Sequence, residues 1–248
     1  MKRHRLTADS KTQGLKVYLI LAIFFAGYSS LSAALESNSQ ATTYRAQQPQ
    51  IDKQEVQPLS DEEIDDALRF LQQSILDIEH KLGPFHDDLA EKLFQIGIIY
   101  QIKADYDQAL SYLERSLQIK KTNVGLYHES HFSIVESLIQ THRLTGKWKV
   151  VDEYYEYLNW LYLRVYGEAS TKRLSVLNKL IMWKVEAVNA RVTDNSDNLL
   201  SEALSAARQA GLILNQHPHI NPNEVLAFSE QELKRALRGR PRRQSDSF

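Results

Sequence analysis

Residues 83–124 read GPFHDDLAEKLFQIGIIYQIKADYDQALSYLERSLQIKKTNV, and this stretch decides the fold. It parses as helix, short turn and helix, opened by Gly83 and followed by Gly125. A step of 42 residues carries Gly83 onto Gly125 and then Gly167. The same step carries Ile64 onto Tyr106 and Trp148, Ala67 onto Ala109 and Val151, and Leu71 onto Leu113 and Tyr155. Glycine suits the place just past a helix C-terminus, because it accepts the left-handed backbone that closes the last turn. No strand-like alternation of useful length interrupts the pattern. Two helices per unit at this period predict an all-α solenoid of antiparallel hairpins, each burying its apolar face on its neighbours.

Residues 83–124 resemble a tetratricopeptide repeat in the long form found in kinesin light chain. The matching positions are Gly83, His86, Ala90, Leu93, Ile96, Gly97, Tyr100, Tyr106, Ala109, Leu113 and Leu117. Gly97 and Ala109 belong together, since small residues at both places let the two helices of a hairpin approach closely. Residues 125–166 match at Gly125, His128, Val135, Leu138, Gly146, Trp148, Tyr155 and Leu158. Here Ile139 and Val151 stand where small residues belong, which predicts a looser hairpin. A third unit keeps Gly167, Leu174, Leu177 and Leu180, then passes through the irregular RVTDNSDN to a second helix near 198–216. Residues 60–82 align with a second helix alone, a half-repeat acting as N-terminal cap. Ser60 with Glu63 three residues on forms a capping box there, and Leu59 is placed to staple onto the first turn. A HEAT-like array is the alternative architecture.

Outside the repeats the chain divides into residues 1–35, 36–58, a repeat domain at 59–216, and 217–248. Basic residues 1–16 precede the apolar VYLILAIFFAGY (17–28) and the small-x-small Ser32-Ala33-Ala34, the pattern of an export signal. The competing reading is an uncleaved anchor, with residues 17–35 tethering the chain to a membrane. Either way the expectation is an exported protein, periplasmic or otherwise extracytoplasmic, free after cleavage or held at the inner membrane. Residues 36–58 are polar, rich in Gln and Ser, and read as a disordered linker. The net charge of −1 hides two basic ends, with five basic side chains in residues 1–16 and six in residues 234–248, around an acidic body. That balance argues against a nucleic-acid-binding core. The chain has no cysteine, which excludes disulfides, thiolate metal sites and cysteine nucleophiles. The C-terminal part is read as a helix at about 222–238 ending in a basic, disordered tail.

Chemistry is hard to place on this sequence. His86 and His128 occupy equivalent positions in successive repeats, about 10 Å apart in a helical stack, too far to share a metal whose ligands sit near ~2 Å. They read instead as turn or N-cap residues. His217-Pro218-His219 is a proline-shaped turn. The acidic pairs Glu62-Glu63, Asp65-Asp66 and Asp87-Asp88 fall at or just before helix first turns, where negative charge offsets the dipole. No glycine-rich phosphate loop, nucleophile elbow or HExxH occurs. Ser130 and His131 are adjacent on a predicted helix and do not face each other. No enzyme, catalytic residue, cofactor or metal is therefore expected.

The resemblance implies that first helices of successive repeats line a concave groove. Carried over by position, the groove is Phe94, Ile98 and Gln101, then Glu136, Gln140 and Arg143, then Asn178, Met182 and Val185. This mixed set suits an extended or helical peptide of an unknown partner, unless the chain's own C-terminal helix fills it. A second candidate lies in YYEYLNWLYLRVYG (154–167). Helical spacing puts Val151, Tyr155, Leu158, Tyr162, Val165 and Tyr166 on a core arc, with Tyr154 and Leu161 at its edge. Tyr157, Trp160 and Leu163 fall opposite, predicting an exposed outer-face patch. The expected function is a non-catalytic interaction scaffold of the cell envelope. The alternatives are a membrane-tethered subunit that self-associates as a homo-oligomer, and a hydrolase built on the repeat scaffold.

Overall fold

The computed structural model describes residues 60–192, 195–226, 233–235 and 238. The expected export segment, the 36–58 linker, Leu59 and most of the basic tail lie outside the described residues. Among the described residues the fold is helical throughout. The helices are α1 (Asp61–Leu82), α2 (Asp87–Ile102), α3 (Tyr106–Val124), α4 (Phe132–Leu144), α5 (Trp148–Tyr166), α6 (Arg173–Asn189), α7 (Ser196–Gln216) and α8 (Pro222–Val225). A 3-10 turn, Glu129–His131, leads into α4. Among the described residues, no helix is long and apolar enough to cross a membrane. The chain forms two compact units that divide between Ile119 and Lys120, within α3.

The first unit starts from the lone helix α1, which is the half-repeat. Its buried residues Ile64, Ala67, Leu71 and Ile75 follow helical spacing and form one stripe. That stripe joins Leu89, Ala90, Leu93, Ile96 and Ile99 of α2 and Ile119 of α3 in one core. Ser60 closes the capping box: its hydroxyl accepts from the Glu63 amide at 3.3 Å, and the Glu63 carboxylate accepts from the Ser60 amide at 3.1 Å. In the α2/α3 hairpin a Cβ added at Gly97 would lie 2.7 Å from Leu113 Cγ and 3.4 Å from the Ala109 carbonyl oxygen. Leu113 packs into the space that a side chain at 97 would need. Ser116 adds a buried bond, its hydroxyl donating to the Ala90 carbonyl at 2.7 Å.

The second unit packs α4 on α5, α5 on α6, and α6 on α7. Ile139 and Val151, in place of the small residues, are both buried, so this hairpin accommodates branched side chains at its contact. In α6 and α7 the core is Leu174, Leu177, Leu180 and Ile181 against Ala203, Ala206, Ala207 and Ala210. The expected helix at 222–238 is not continuous. It stops at Val225 because Leu226 is extended (φ −124°, ψ 127°), yet Leu233 beyond is buried in the α6/α7 core.

Turn geometry repeats with the sequence. Gly83, Gly125 and Gly167 have φ of 93°, 82° and 83°, each just past a helix end. Within the first two hairpins Ala104 (57°) and Gly146 (68°) take the left-handed turn position, 42 residues apart. In the third hairpin that role falls to Arg191 (54°), three residues later than the register would place it, because α6 runs on to Asn189.

Candidate partner-binding surfaces

Helix α5 carries most of the aromatic residues, and its neighbours sort them. Val151, Leu158 and Leu161 are its fully buried spine. The tyrosines are half-buried and flank that spine, so the expected core arc is aliphatic, with Leu161 central to it and not at its edge. Toward α4, Tyr162 stacks on Phe132 with ring centroids 4.0 Å apart, and Tyr154 stacks on His142 at 5.5 Å. Toward α6, Tyr155 stacks on Trp183 at 5.7 Å, and Trp148 stacks on the same indole at 6.1 Å. Tyr166 donates to Glu129 at 2.9 Å; burial and that carboxylate push its hydroxyl up to about 12. One stack follows the repeat: Tyr100–Tyr112 (5.4 Å) and His142–Tyr154 sit 42 residues apart.

The outer-face patch differs from the expectation in its exposure. Tyr157, Trp160 and Leu163 are half-buried and not open. Trp160 meets the edge of Tyr127 at 5.2 Å and stacks beside Tyr157 at 5.9 Å. Arg164 lies over both Trp160 (5.6 Å) and Tyr127 (5.9 Å), and Lys121 lies over Tyr157 at 4.9 Å. Such contacts shield ring faces while leaving the cations wet. The open apolar surface here belongs to the turn before α4, where Leu126 is 55% and Tyr127 51% exposed. The one-helix reading missed Tyr127 because its contact with Trp160 is tertiary.

The expected groove is brought together only in part. Phe94, Ile98 and Gln101 are buried, so these three offer no accessible surface; helical position in one repeat does not report how the side chain is covered. Along α4 and α6, ion pairs join the two helices. Lys179 reaches Glu136 at 2.7 Å, and Arg143 donates to both Glu186 carboxylate oxygens at 2.7 and 2.9 Å. Gln140 and Asn178 are half-buried, and Met182 is exposed. Val185 packs against the core that contains Leu233.

His86 and His128 are N-caps: their Nδ1 atoms accept from the Asp88 amide at 3.3 Å and the Ser130 amide at 3.2 Å. Among the described residues, no group of three or more His, Asp or Glu side chains is arranged to hold a metal ion. His131 and His142 are buried, and burial lowers both below the ordinary histidine value.

A buried charge network escaped the sequence reading. Lys184 is fully buried, and its ammonium reaches Asp152 at 2.9 Å, Glu156 at 2.8 Å and Glu202 at 2.6 Å. Burial acts to lower its pKa, but the three carboxylates outweigh that and hold it above the usual lysine range. Trp183 donates its indole N–H to Asp152 at 2.7 Å. One lysine thus ties α5, α6 and α7 together. The signal was in the register, since Lys184 falls 42 residues beyond His142 and 84 beyond Tyr100, both engaged in stacking within their hairpins.

Solved structures that resemble the chain include the following three. BtubC (BKLC) from P. vanneervenii is 16% identical with a TM-score of 0.39, over 75% of this chain and 85% of that one. A Podosopora anserina chain described as kinesin light chain with nearly identical TPR-like repeats is 15% identical with a TM-score of 0.45, over 74% and 90%. A singly substituted form of that fungal chain gives 14% and 0.45, over 71% and 86%. No curated protein matches in sequence. The tetratricopeptide repeat family profile matches residues 59–122, which span α1, α2 and most of α3. Residues 59–122 therefore carry a tetratricopeptide repeat.

Proposed function

We propose that the protein is a non-catalytic interaction scaffold of the cell envelope, and that it engages a partner protein through the surface around Tyr127 and Trp160. Tetratricopeptide repeats suggest protein–protein interaction in general. The observation that carries the choice of surface is the joining of exposed Leu126 and Tyr127 to half-buried Tyr157 and Trp160, with Arg164 across them. Tyr, Trp and Arg are the residues that most often carry binding energy at interfaces. The partly exposed side chains Gln140, Asn178 and Met182 on α4 and α6 provide a second, smaller surface. Support for an envelope location comes from the basic residues, the apolar 17–28 run and Ser32-Ala33-Ala34.

The test is site-specific photo-crosslinking of the full chain in its native host, with probes at Tyr127, at Met182 and at Gln72 on α1. One protein is expected to crosslink at Tyr127 in far higher yield than at Gln72. Crosslinking at Met182 alone would move the site to the α4/α6 side. Absence of any protein adduct at Tyr127 and Met182 would remove the scaffold reading. N-terminal sequencing and protease accessibility in intact cells check the export component.

A further inference from the structure

The repeat register leaves one helix face without its usual neighbour. In the first two hairpins a stripe of the second helix packs on the first helix of the same repeat. In α3, Tyr112 stacks on Tyr100 of α2, and the Ser116 hydroxyl donates to the Ala90 carbonyl of α2 at 2.7 Å. In α5, Tyr154 stacks on His142 of α4 at 5.5 Å, and Tyr162 on Phe132 of α4 at 4.0 Å. Steps of 42 and 84 residues carry Phe70 onto Tyr112 and Tyr154, Ser74 onto Ser116, and Ile78 onto Tyr162. Helix α1 is a second helix alone, so among the described residues no first helix precedes it. The consequence shows in burial. Ser116 is fully buried, whereas Ser74 is half-buried and turns its hydroxyl back to the Phe70 carbonyl of its own helix at 2.8 Å. Phe70 and Ile78 rest half-buried against the α1/α2 core, and Leu82 ends the stripe 53% exposed. The sequence just before α1 is ill suited to cover them. The register assigns that place to residues 41–58, which carry Pro49 inside the helix and Pro58 where Tyr100 and His142 supply a ring.

We infer that α1 of a second copy covers this stripe: two chains pair α1 to α1, antiparallel about a two-fold axis at Ser74, with Phe70 of each against Ile78 of the other. Charge selects both the occupant and its direction. The first turn of α1 carries Asp61, Glu62 and Glu63, and its last turn carries His80 and Lys81. Antiparallel copies place the acidic end of one helix beside the basic end of the other, whereas parallel copies oppose like charges. The helix dipoles favour the same direction. At the axis the small serine lets the two backbones approach, as Gly97 does within the α2/α3 hairpin. One face meeting itself closes as a dimer and does not propagate. The pairing uses α1 alone and goes beyond the scaffold reading, so the Tyr127 surface stands or falls separately.

The chain has no cysteine, so single cysteines placed in the full chain report the pairing by disulfide capture. Capture requires the two β-carbons to approach within about 4.5 Å. Under mild oxidation Ser74→Cys is expected to give a covalent dimer in roughly tenfold higher yield than Gln72→Cys, which lies on another side of α1. Phe70→Cys and Ile78→Cys should each stay monomeric alone and dimerise when mixed. Lys81→Glu should lower the Ser74→Cys yield about threefold. The cysteine-free chain, in mild detergent, should sediment as a dimer that Ile78→Glu returns to monomer. Equal capture at Ser74 and Gln72, capture by Phe70→Cys alone, or a monomeric cysteine-free chain would overturn the inference. So would capture of a different protein by Ser74→Cys in cells, or a Ser74→Cys thiol closed to both capture and maleimide, the sign that upstream residues of the same chain cover the stripe. None of these outcomes alters the crosslinking expected at Tyr127.

Discussion

In the α2/α3 hairpin the helices meet over Gly97, with Leu113 filling the space a side chain would need and Tyr100 stacked on Tyr112. In the α6/α7 hairpin the small residues are the alanines of α7, and the position equivalent to Tyr100 is the buried ammonium of Lys184 amid carboxylates from α5 and α7. The first hairpin is held by shape and the second by shape plus matched charge. The difference teaches that a repeat register specifies which positions face inward, and leaves open what chemistry satisfies them. It also makes the two hairpins fail differently. A packing error in the first acts through contacts alone, whereas an unmatched carboxylate in the second must be hydrated or take up a proton.

Removing Lys184 should have the largest effect. Lys184→Ala leaves Asp152, Glu156 and Glu202 facing one another without their cation, and is expected to cost about 3 kcal/mol. The low end of the range applies because the three carboxylates are 31%, 46% and 38% exposed and keep part of their hydration. Urea unfolding followed by circular dichroism would read it, with hydrogen exchange of α5, α6 and α7 assigning the loss to the second unit. A cost no larger than that of an exposed lysine would show that the network contributes little. Gly97→Val tests the first hairpin and should cost about 2 kcal/mol through overpacking against Leu113. Adding Leu113→Ala to Gly97→Val should recover part of that loss by opening room. If the double variant is worse by the sum of the two, steric conflict at this contact is not the cause.

These two sites also mark what the sequence made legible. Glycines past helix ends, Ser60 with Glu63, and the histidine caps were readable because each answers a backbone demand a few residues away. Gly97 was readable from its pairing with Ala109. Lys184 was marked as inward by the register alone, and its charge network was hidden because the carboxylates lie on other helices. The groove positions fared unevenly for the same reason. The resemblance placed Phe94, Ile98 and Gln101 along α2, but their burial depends on packing that a position in the repeat does not encode. Trp160 was placed on the outer face, whereas its cover by Tyr127 required the turn before α4 to fold back on α5.

Smaller effects sharpen the comparison at the repeat boundaries. Ser60→Ala removes the side-chain cap of α1 and should cost about 1 kcal/mol. Gly125→Ala introduces a Cβ with nothing within 4 Å, so its whole penalty comes from φ of 82°, also about 1 kcal/mol. If Gly125→Ala proves neutral, the turn relaxes out of the left-handed region. Reading the two by hydrogen exchange would separate them, with Ser60→Ala loosening α1 and Gly125→Ala loosening the α3–α4 connection.

The finest distinction is expected in pH dependence, since the buried histidines sit at the start of α4 and within it while α2 carries none. His131 is enclosed near Lys121 and His128, and His142 stacks on Tyr154 near Lys147. Burial and then these cations oppose protonation, so the folded values lie below the unfolded value of about 6.5. The sign follows from which state binds the proton more tightly. Above that pH both states are neutral at these rings and neither histidine changes stability with pH. As the pH falls, the unfolded chain takes up protons first, and stability drops through the window below about 6.5. The urea midpoint should therefore fall between about pH 7.5 and about pH 5, with hydrogen exchange rising in α4 and α5 before α2. His131→Phe should flatten that slope, and His142→Phe should flatten it further. A slope unchanged in the double variant would assign the acid sensitivity to other groups and leave the two hairpins distinguished by Lys184 alone.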